Sequence, residues 1–498
     1  MRRGILVFAG LVCITCVNSK GQNTADDALG KQVQQLTEAL ARTQAQVEES
    51  QRALEQVRSQ LSVLQRQLAE RDAASASGSA AQLSAAVDEI REQQALQGTQ
   101  IATHEQSKIE SESKYAVKLS GLVLLSGFVN TRQVDLPPTP TVVTPGPGSS
   151  GATVRQTVLG LDARGPHLLG ASSHADVRID FDGANVANGS NANNAYGGGL
   201  LRLRTAHASL AWERTEAFFS LDHPIIAPNT PSSLTAVAVP ALAWSGNLWT
   251  WNPQLGVTQD IPLSSSTRFR AQAALIDIAD PPSVYGVNAG AAPSDTSLPP
   301  TSEQSRWPGV ESRIALTRAA PANGFEFGVG GLFAPHHGLE GTRFDSWAAT
   351  LDYRVPLEKH TEIRGSFYRG KALGGLGAGT FKDYVYYVSL YNPEAVYFRA
   401  LDDVGGWAQF RIHKGEHFES NFAFGTDQVF AGQLRPYAGA SNESYLNLAR
   451  NRTYTGNVIF SPSAYLLFSL EYRHLQSSPV NGATAAGDVI GIATGYRF

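Results

Sequence analysis

The chain has 498 residues, enough for two or three domains, and a formal net charge of −4. Hydrophobic residues make up 42% of it and charged residues only 17%, fewer than in an average soluble protein. The acidic balance argues against a nucleic-acid-binding protein. After the N-terminus no apolar run is long enough for a membrane-spanning helix. A membrane-embedded form of this chain is therefore predicted to be a closed β-barrel.

Residues 1–22 have the pattern of a signal peptide, with two arginines followed by an apolar stretch. Both cysteines, Cys13 and Cys16, lie inside this segment. Its removal would leave a mature chain without disulfides or thiol chemistry. Lipidation of Cys16 is the alternative, although Thr15 is a poor fit to the small residue that lipidation requires.

Residues 26–110 are predicted to form a periplasmic coiled-coil segment. Up to residue 70, apolar residues alternate at spacings of four and three, which is typical of a coiled coil. The small, Ser-rich stretch 73–81 interrupts the pattern, which then resumes weakly. The alternative is a single amphipathic helix packed on its own barrel. The two core positions hold Val33, Leu40, Val47, Leu54, Leu61 and Leu68, and Leu29, Leu36, Thr43, Ser50, Val57 and Leu64.

Residues 115–498 show a different pattern, in which apolar side chains recur at every second position. The final strand, residues 488–498, has an apolar outer face that ends in aromatics, as in outer-membrane barrels. Phe498 is the type of terminal residue that the barrel assembly machinery recognises. The predicted outer face of this strand carries Ile490, Ile492, Thr494, Tyr496 and Phe498, and its inner face carries Val489, Gly491, Ala493, Gly495 and Arg497.

The strand pattern predicts an all-β transmembrane barrel of about sixteen antiparallel strands, the size at which a barrel leaves an aqueous channel. Tight turns alternate with long connections rich in Pro, Gly, Ser and Asn, which is the arrangement of porins. An even strand number puts the coiled coil and the C-terminus on the periplasmic side of the outer membrane. The expected long connections are residues 132–153, 183–200, 224–250, 279–307, 372–403, 429–450 and 477–487.

The alternation also predicts which charged side chains face the lumen. If Leu201 and Leu203 face lipid, Arg202 and Arg204 face inward, and facing lines of opposite charge would select solutes by charge. The alternative is that these pairs only brace the wall. Arg202, Arg204, Arg268 and Arg270 are expected to act together in attracting anions. The predicted pore-lining residues are Arg178, Arg202, Arg204, Arg268, Arg270, Arg313, Arg364, Asp176, Asp180 and Glu311, with Arg354, Arg411, Arg473, Asp352, Glu362, Glu419 and Glu471 by the same alternation.

The connection 224–250 is the predicted constriction loop, because general porins fold a loop inward after the fifth strand. Asn229, Trp244 and Asn247 are its candidate residues. The alternative is an external lid whose tryptophans belong to the interface belt. Enzyme motifs are weak: His336 and His337 adjoin in a loop, and no nucleophile elbow, zinc-protease motif or phosphate loop stands in a suitable setting. No enzymatic activity and no cofactor are expected.

Three stretches, residues 155–162, 175–183 and 201–210, resemble the DcaP-like porins. They read Arg-Gln-Thr-Val-Leu-Gly-Leu-Asp, Ala-Asp-Val-Arg-Ile-Asp-Phe-Asp-Gly and Leu-Arg-Leu-Arg-Thr-Ala-His-Ala-Ser-Leu. The resemblance implies a homotrimeric outer-membrane porin with a periplasmic coiled coil, lumenal arginines at positions 202 and 204, and small organic anions such as dicarboxylates as solutes. Residues 216–223 lack the Gly-Gln typical of the family, which makes the inherited solute less secure than the architecture.

The expected partners follow from this layout. They are two further copies of the chain, outer-membrane lipid and lipopolysaccharide, the barrel assembly machinery and small anionic solutes, with no nucleic acid. Peptidoglycan is a further candidate partner, which the coiled coil would contact. Two other functions stay open: a sugar-selective porin with an N-terminal coiled coil, and a chiefly structural barrel that tethers the envelope.

Overall fold

The computed structural model describes residues 117–183, 200–281, 299–318, 324–338, 341–388, 396–438 and 445–498. The predicted signal peptide and coiled coil lie outside these residues. Within them no helix is both long and apolar enough to cross a membrane. Short helices span Thr301–Ser305 and Ala431–Leu434, and 3-10 turns span Gly374–Leu376, Gly379–Phe381 and Arg435–Tyr437. The strands are β1 (Val117–Val134), β2 (Val143–Thr153), β3 (Val158–Leu168), β4 (Ala171–Gly183), β5 (Leu200–Ala211), β6 (Thr215–Asp222), β7 (Asn252–Pro262), β8 (Thr267–Ile276), β9 (Gly309–Arg318), β10 (Glu326–His337), β11 (Arg343–Glu358), β12 (Thr361–Lys371), β13 (Tyr384–Val388), β14 (Val396–Ala400), β15 (Asp402–Lys414), β16 (Phe418–Val429), β17 (Leu448–Phe460), β18 (Leu466–Pro479) and β19 (Ala485–Arg497).

The main sheet closes into a barrel because β1 pairs with β19, from Leu122 opposite Arg497 to Asn130 opposite Val489. On its other edge, β1 pairs with β2 along its second half and with β3 along its first half. β2 and β3 therefore share one position in the wall, and the barrel has 16 antiparallel positions. The predicted barrel of about sixteen strands is confirmed. β13 and β14 form a separate hairpin.

The connections divide between the two ends of the barrel. At one end, here called the short-turn end, every connection has seven residues or fewer. At the other, here called the long-loop end, most connections have more residues, although 338–342 and 480–484 are short. β1 begins and β19 finishes at the short-turn end, as an even number of wall positions requires. The short-turn connections are residues 169–170, 212–214, 263–266, 319–325, 359–360, 415–417 and 461–465.

The stretch 132–153 differs from the prediction of a long connection, since its second half forms β2. Its Pro, Gly and Ser content predicts a loop, yet the strand pairs with β1 from Ser126 onward. A Cβ at Gly148 would lie 2.1 Å from the carbonyl oxygen of Asn130. The same small residues that imitate a loop are therefore needed for the close approach of the two strands.

The outer face of the wall is apolar, and the alternation predicted for the last strand is confirmed. Ile490, Ile492 and Tyr496 are exposed, whereas Val489 and Ala493 are buried. Aromatic and branched side chains on the neighbouring strands continue this outer belt, as in barrels whose outer face contacts lipid. The belt includes Leu125, Val129, Leu203, Phe219, Leu255, Ile314, Val329, Phe333, Leu351, Phe367, Phe422, Val458 and Leu470.

The interior of the barrel is partly filled by two stretches of chain. We call residues 223–251 the first inner segment and residues 372–383 the second inner segment. Both pack on the inner wall and form an apolar cluster with it. This cluster positions the two segments inside the barrel, where they border any passage through it. The cluster contains Ile226 and Leu248 of the first segment, Leu373, Leu376 and Ala378 of the second, and Ile276, Leu332, Ala348 and Tyr368 of the wall.

Candidate functional site

The first inner segment leaves the wall at β6, crosses the interior and returns at β7. On the far side the Ser232 N–H donates to Gln409 Oε1 of β15 at 3.1 Å. The Ser233 hydroxyl donates to Glu471 Oε2 of β18 at 2.6 Å. β15 and β18 flank the wall position opposite β6. The segment therefore spans the barrel from wall to wall.

The return of the first inner segment lies directly on the wall through its backbone. Gly246 has a φ of +99°, and a Cβ there would lie 2.1 Å from the carbonyl oxygen of Gly406. A Cβ at Gly425 would lie 2.0 Å from the carbonyl oxygen of Ser245. Neither glycine can be replaced without moving main-chain atoms, so the position of the segment depends on glycine at both sites.

The three candidate constriction residues occupy different environments. Trp244 is buried and stacks on Phe381 of the second inner segment, with ring centroids 4.2 Å apart. Asn247 is fully buried, and its amide donates to the Ala241 carbonyl oxygen at 3.3 Å. Only Asn229 is partly exposed. Trp244 and Asn247 are therefore buried packing residues that hold the segment in shape.

The second inner segment has no counterpart in the sequence prediction, which treats residues 372–403 as an outer connection. The Gly379 and Thr380 N–H groups donate to the Asp403 and Asp427 carboxylates at 2.7 and 2.6 Å. Lys382 is fully buried and donates to backbone carbonyls. Burial lowers the pKa of Lys382 to about 7, against the opposing effect of the two carboxylates. The only sequence signal for this segment is its glycine content.

Arg202 and Arg204 share one carboxylate under the first inner segment. The Arg202 guanidinium donates two hydrogen bonds, of 3.0 and 2.6 Å, to the Asp180 carboxylate, and the Arg204 guanidinium donates to the same carboxylate at 3.4 Å. The two guanidinium groups also donate to the carbonyl oxygens of Ala238 and Val237, at 2.8 and 2.6 Å. The pair therefore braces the segment as well as carrying charge.

The same arginines pack on an aromatic ring. Their guanidinium carbons lie 5.1 and 4.9 Å from the ring centroid of Trp251, within cation–π range. Asp180 is fully buried, whereas both arginine side chains keep some exposure. Two positive groups against one covered carboxylate leave a surplus of positive charge at this point of the inner wall.

Arg268 and Arg270 form a separate pair on Asp260. Arg270 contacts this carboxylate at 2.7 and 2.9 Å, and Arg268 contacts it at 3.2 Å. Both arginines follow a short turn, whereas Arg202 and Arg204 follow a long connection. The four arginines expected to act together therefore lie as two pairs at opposite ends of the barrel.

Several predicted pore-lining residues face inward but are covered. Glu311 is fully buried beneath the first inner segment, where the Ile226 N–H approaches its carboxylate at 3.5 Å. Arg313 is buried between carboxylates of neighbouring strands. Arg364 donates to the Ser232 hydroxyl. Glu311 and Arg313 thus do not line a water path, because the segment and their ion-pair partners cover them, and Arg364 is partly engaged in holding the segment.

A group of lumenal side chains near the short-turn end has the spacing of a metal site. The carboxylates of Asp162 and Asp176 and the ring of His174 present ligand atoms within 4.8 Å of one another. Arg178 contacts the two carboxylates at 2.6 and 3.7 Å. The guanidinium therefore already supplies the positive charge that these carboxylates attract.

The ion pairs of the inner wall share one feature: the arginine is the more exposed partner. Arg313 is the exception, since it is buried on both sides. Where the arginine is the more exposed partner, the surface that borders the lumen consists more of guanidinium groups than of carboxylates. The exposed fractions of arginine and carboxylate are 25% and 0% for Arg202–Asp180, 44% and 21% for Arg268–Asp260, and 47% and 19% for Arg354–Glu326.

Comparisons with known proteins rest on structure, since no protein-family model and no curated protein matches the sequence. The outer membrane channel DcaP of Acinetobacter baumannii matches with a TM-score of 0.56 at 15% identity, over 78% of this chain and 99% of that one. Two further structures match with lower similarity. They are an anion-selective porin from Comamonas acidovorans (TM-score 0.45, 10% identity, 77% and 100% covered) and OprB of Pseudomonas putida (TM-score 0.46, 9% identity, 77% and 94% covered). The predicted resemblance is confirmed at the level of the fold: this chain has the fold of the DcaP-like outer-membrane porins.

Proposed function

We propose that this protein is an outer-membrane channel for the passive diffusion of small hydrophilic solutes, with a preference for small organic anions such as dicarboxylates. The observation that carries the proposal is the unequal exposure within the inner-wall ion pairs. In the pairs that Arg202, Arg268 and Arg354 form, the guanidinium faces the lumen more than its carboxylate does. A solute inside the barrel therefore meets a positive surface although each pair is nearly neutral.

The physical mechanism is a fixed positive field along a narrow aqueous path. Arginine stays charged at every physiological pH, so the field does not depend on titration. Low-dielectric walls concentrate field lines in the water between them and raise the local concentration of anions. Carboxylates also match the planar guanidinium in shape and accept two hydrogen bonds from it. Added salt should weaken the preference, because exposed charges are screened.

The test is the reversal potential of the channel in a salt gradient across a planar bilayer. We would replace together the two arginines that are most exposed among the inner-wall ion pairs, Arg268→Gln and Arg354→Gln. Asp260 then keeps Arg270, and Glu326 keeps Arg313, so no carboxylate loses its last partner. The proposal expects a shift of reversal potential toward cations and slower uptake of dicarboxylates.

The matched control for this test is Arg214→Gln, which removes an exposed arginine from the turn 212–214. It should leave the reversal potential unchanged. An unaltered reversal potential in the double variant would contradict the proposed anion preference and favour the view that these arginines only brace the wall.

A sugar channel is the second candidate, and one cavity favours it. A space of about 390 Å³ lies between the inner segments and neighbouring loops, lined by Trp244, Trp249, Phe381 and Tyr445 together with carboxylates. Aromatic faces beside carboxylates suit a sugar ring, which presents apolar faces and hydroxyl groups. Burial and the nearby carboxylate of Asp135 raise the pKa of Tyr445 above its ordinary value, so its hydroxyl stays a hydrogen-bond donor.

Current block separates the two candidates. Under the sugar proposal, oligosaccharides added to the bilayer chamber reduce the single-channel current, and Trp249→Ala abolishes the block. Under the anion proposal, dicarboxylates reduce the current and oligosaccharides do not.

We further propose a homotrimer with the coiled coil and the short-turn end in the periplasm, and with Phe498 as the residue that the assembly machinery reads. The layout shared with DcaP-like porins and the heptads of residues 26–70 support this assembly. Mass measurement of the full-length protein in detergent tests it, and a monomer would contradict it. Deletion of residues 23–110 should weaken assembly while each barrel still conducts.

A further inference from the structure

The outer surface of β16, β17 and β18 is organised in rows, because the register sets equivalent side chains side by side. One row joins Phe424, Tyr454 and His474, and the first two rings are in contact, with centroids 4.8 Å apart and planes tilted by 39°. Toward the short-turn end the surface is apolar down to a second aromatic row. Successive rows are separated by about 7 Å, twice the rise of one strand residue. The second aromatic row consists of Phe418, Phe460 and Phe468.

Two arginines stand immediately beyond the upper aromatic row. Arg452 and Arg450 lie on the same face of β17 as exposed Tyr454, one and two rows nearer the long-loop end, respectively. Neither forms an ion pair or hydrogen bond with any residue that the structure describes, and the Nε atom of each is buried without a partner. Elsewhere on the outer face Arg369 has Asp402 within 3.7 Å. Arg450 and Arg452 thus present uncompensated positive charge at the edge of the belt.

The neighbours of these arginines are polar but uncharged. The register places Gln428 and Ser478 beside Arg450, and Thr426 and Gln476 beside Arg452. No carboxylate occupies either row on the adjoining strands. Amide and hydroxyl groups can exchange hydrogen bonds with the hydroxyl groups of a sugar.

A groove lies directly below the arginines, within the apolar belt. It has a volume of about 460 Å³ and is lined by Phe422, Tyr454, Leu470 and Tyr472 around Gly456. A Cβ at Gly456 would lie 3.5 Å from the Phe422 ring, an ordinary contact distance. Packing within the wall therefore does not require glycine here, and the absent side chain leaves the groove open.

We propose that this surface binds a phosphorylated glycolipid of the membrane leaflet at the long-loop end. Its phosphate lies on Arg450 and Arg452, its sugar contacts the flanking amides, and one acyl chain occupies the groove over Gly456. The inference rests on the proposed outer-membrane location, in which the long-loop end faces outward. It does not depend on the solute that the channel carries, because all these residues are on the outer wall.

The position of the two arginines favours a lipid over a second copy of the chain. An arginine is tolerated on the lipid-facing surface of a barrel near the interface, where phosphate groups lie, and not at the centre of the bilayer. Guanidinium binds phosphate through two parallel hydrogen bonds, which suits a pair with free donors. The two arginines lie nearer the long-loop end and the apolar groove lies next to them, further into the membrane. This order matches an amphiphile whose phosphate is directly followed by its acyl chains.

The experiment is native mass spectrometry of the full-length protein in detergent, titrated with bisphosphorylated lipid A, its dephosphorylated form or phosphatidylglycerol. We expect lipid A to bind most tightly. Arg450→Gln with Arg452→Gln should weaken its binding by about tenfold or more, the loss expected when charge-assisted bonds to phosphate are removed. Gly456→Leu should weaken it by filling the groove. Arg214→Gln is the control and should bind like the wild type.

Three results would overturn the proposal. The first is equal binding of lipid A by the Arg450→Gln, Arg452→Gln variant, and the second is equal binding of phosphatidylglycerol by the wild type. The third is a disulfide between copies of a Gly456→Cys variant, since a second copy would then cover the groove. Reversal potentials of the same variants keep this test separate from the proposed channel function: they should stay at the wild-type value, whatever that value is.

Discussion

The two arginine pairs of the lumen, Arg202 with Arg204 and Arg268 with Arg270, differ in what they contact and in how far they are exposed. Arg202 and Arg204 share the buried Asp180, hold two carbonyl groups of the first inner segment and lie over Trp251. Arg268 shares Asp260 with Arg270 and is nearly half exposed. A charged residue on the inner wall can therefore brace the inner segment or, under the proposed function, set the selectivity of the channel. Which of these two roles an arginine has depends on its ion-pair partner and on whether the inner segment covers it, and not on the residue type.

The comparison changes the choice of mutation for probing selectivity. Removing Arg202 and Arg204 would alter the position of the first inner segment as well as the charge of the lumen, so a changed current would have two explanations. Arg268 and Arg354 can be removed with their carboxylates still paired. A changed reversal potential in a variant that lacks Arg268 and Arg354 can then be attributed to the lost charge.

The largest expected effect is the loss of stability when Arg202→Gln and Arg204→Gln are combined. Asp180 would be left buried without a cationic partner on the adjoining strand, and breaking a buried pair in this way costs about 3–5 kcal/mol. Urea unfolding of the purified barrel measures the change. Addition of Asp180→Asn should recover most of the loss, because the uncompensated charge is then gone. A double variant as stable as the wild type would contradict the bracing role.

The next effect is on ion preference, with little effect on stability. Arg268→Gln with Arg354→Gln should change the free energy of unfolding by no more than about 1 kcal/mol, since exposed ion pairs contribute little. The reversal potential should nevertheless shift further toward cations than in the Asp180→Asn, Arg202→Gln, Arg204→Gln variant. The first change removes two exposed positive charges, and the second removes two positive charges together with one negative charge, a net loss of one. The opposite ranking would reverse our assignment of the two arginine pairs.

A smaller effect is expected from pH at the second inner segment. Burial raises the pKa of Asp383 to about 7, from an ordinary value of 3.8. The folded protein then holds a proton that the unfolded chain releases, so the contribution of Asp383 to stability is full below about pH 4 and is lost as the pH rises through 7. Thermal unfolding between pH 4 and pH 7 should show this fall, and Asp383→Asn should reduce it. An unchanged slope in the variant would mean that Asp383 is ionised in the folded state.

The sequence predicts the wall of this barrel well because the wall depends on local alternation. Ile490 and Val489 take opposite faces as expected, and the inward direction of Arg202 and Arg268 follows from the same rule. The prediction fails for β2, whose glycines and prolines imitate a loop. Composition describes residues one at a time, whereas the pairing of β2 with β1 depends on how closely two distant backbones can approach.

The exposure of the lumenal side chains is beyond local reasoning for a related reason. Glu311 and Arg268 are equivalent by alternation, yet Glu311 lies under the first inner segment and Arg268 does not. The path of that segment depends on Gly246 and Gly425, which are far apart in the chain. Alternation predicts the side on which a residue lies, and only long-range packing determines whether water reaches it.

The attachment of the first inner segment through glycine backbone has a consequence for how such a protein changes over generations. Main-chain atoms at Gly246 and Gly425 hold the segment on the wall, whatever side chains border the passage. Substitutions at Asn229, Arg268 or Arg354 can therefore accumulate without displacing it. A lineage that meets a new nutrient could adjust the chemistry of its channel in single steps, while the glycines that position the segment stay under strict selection.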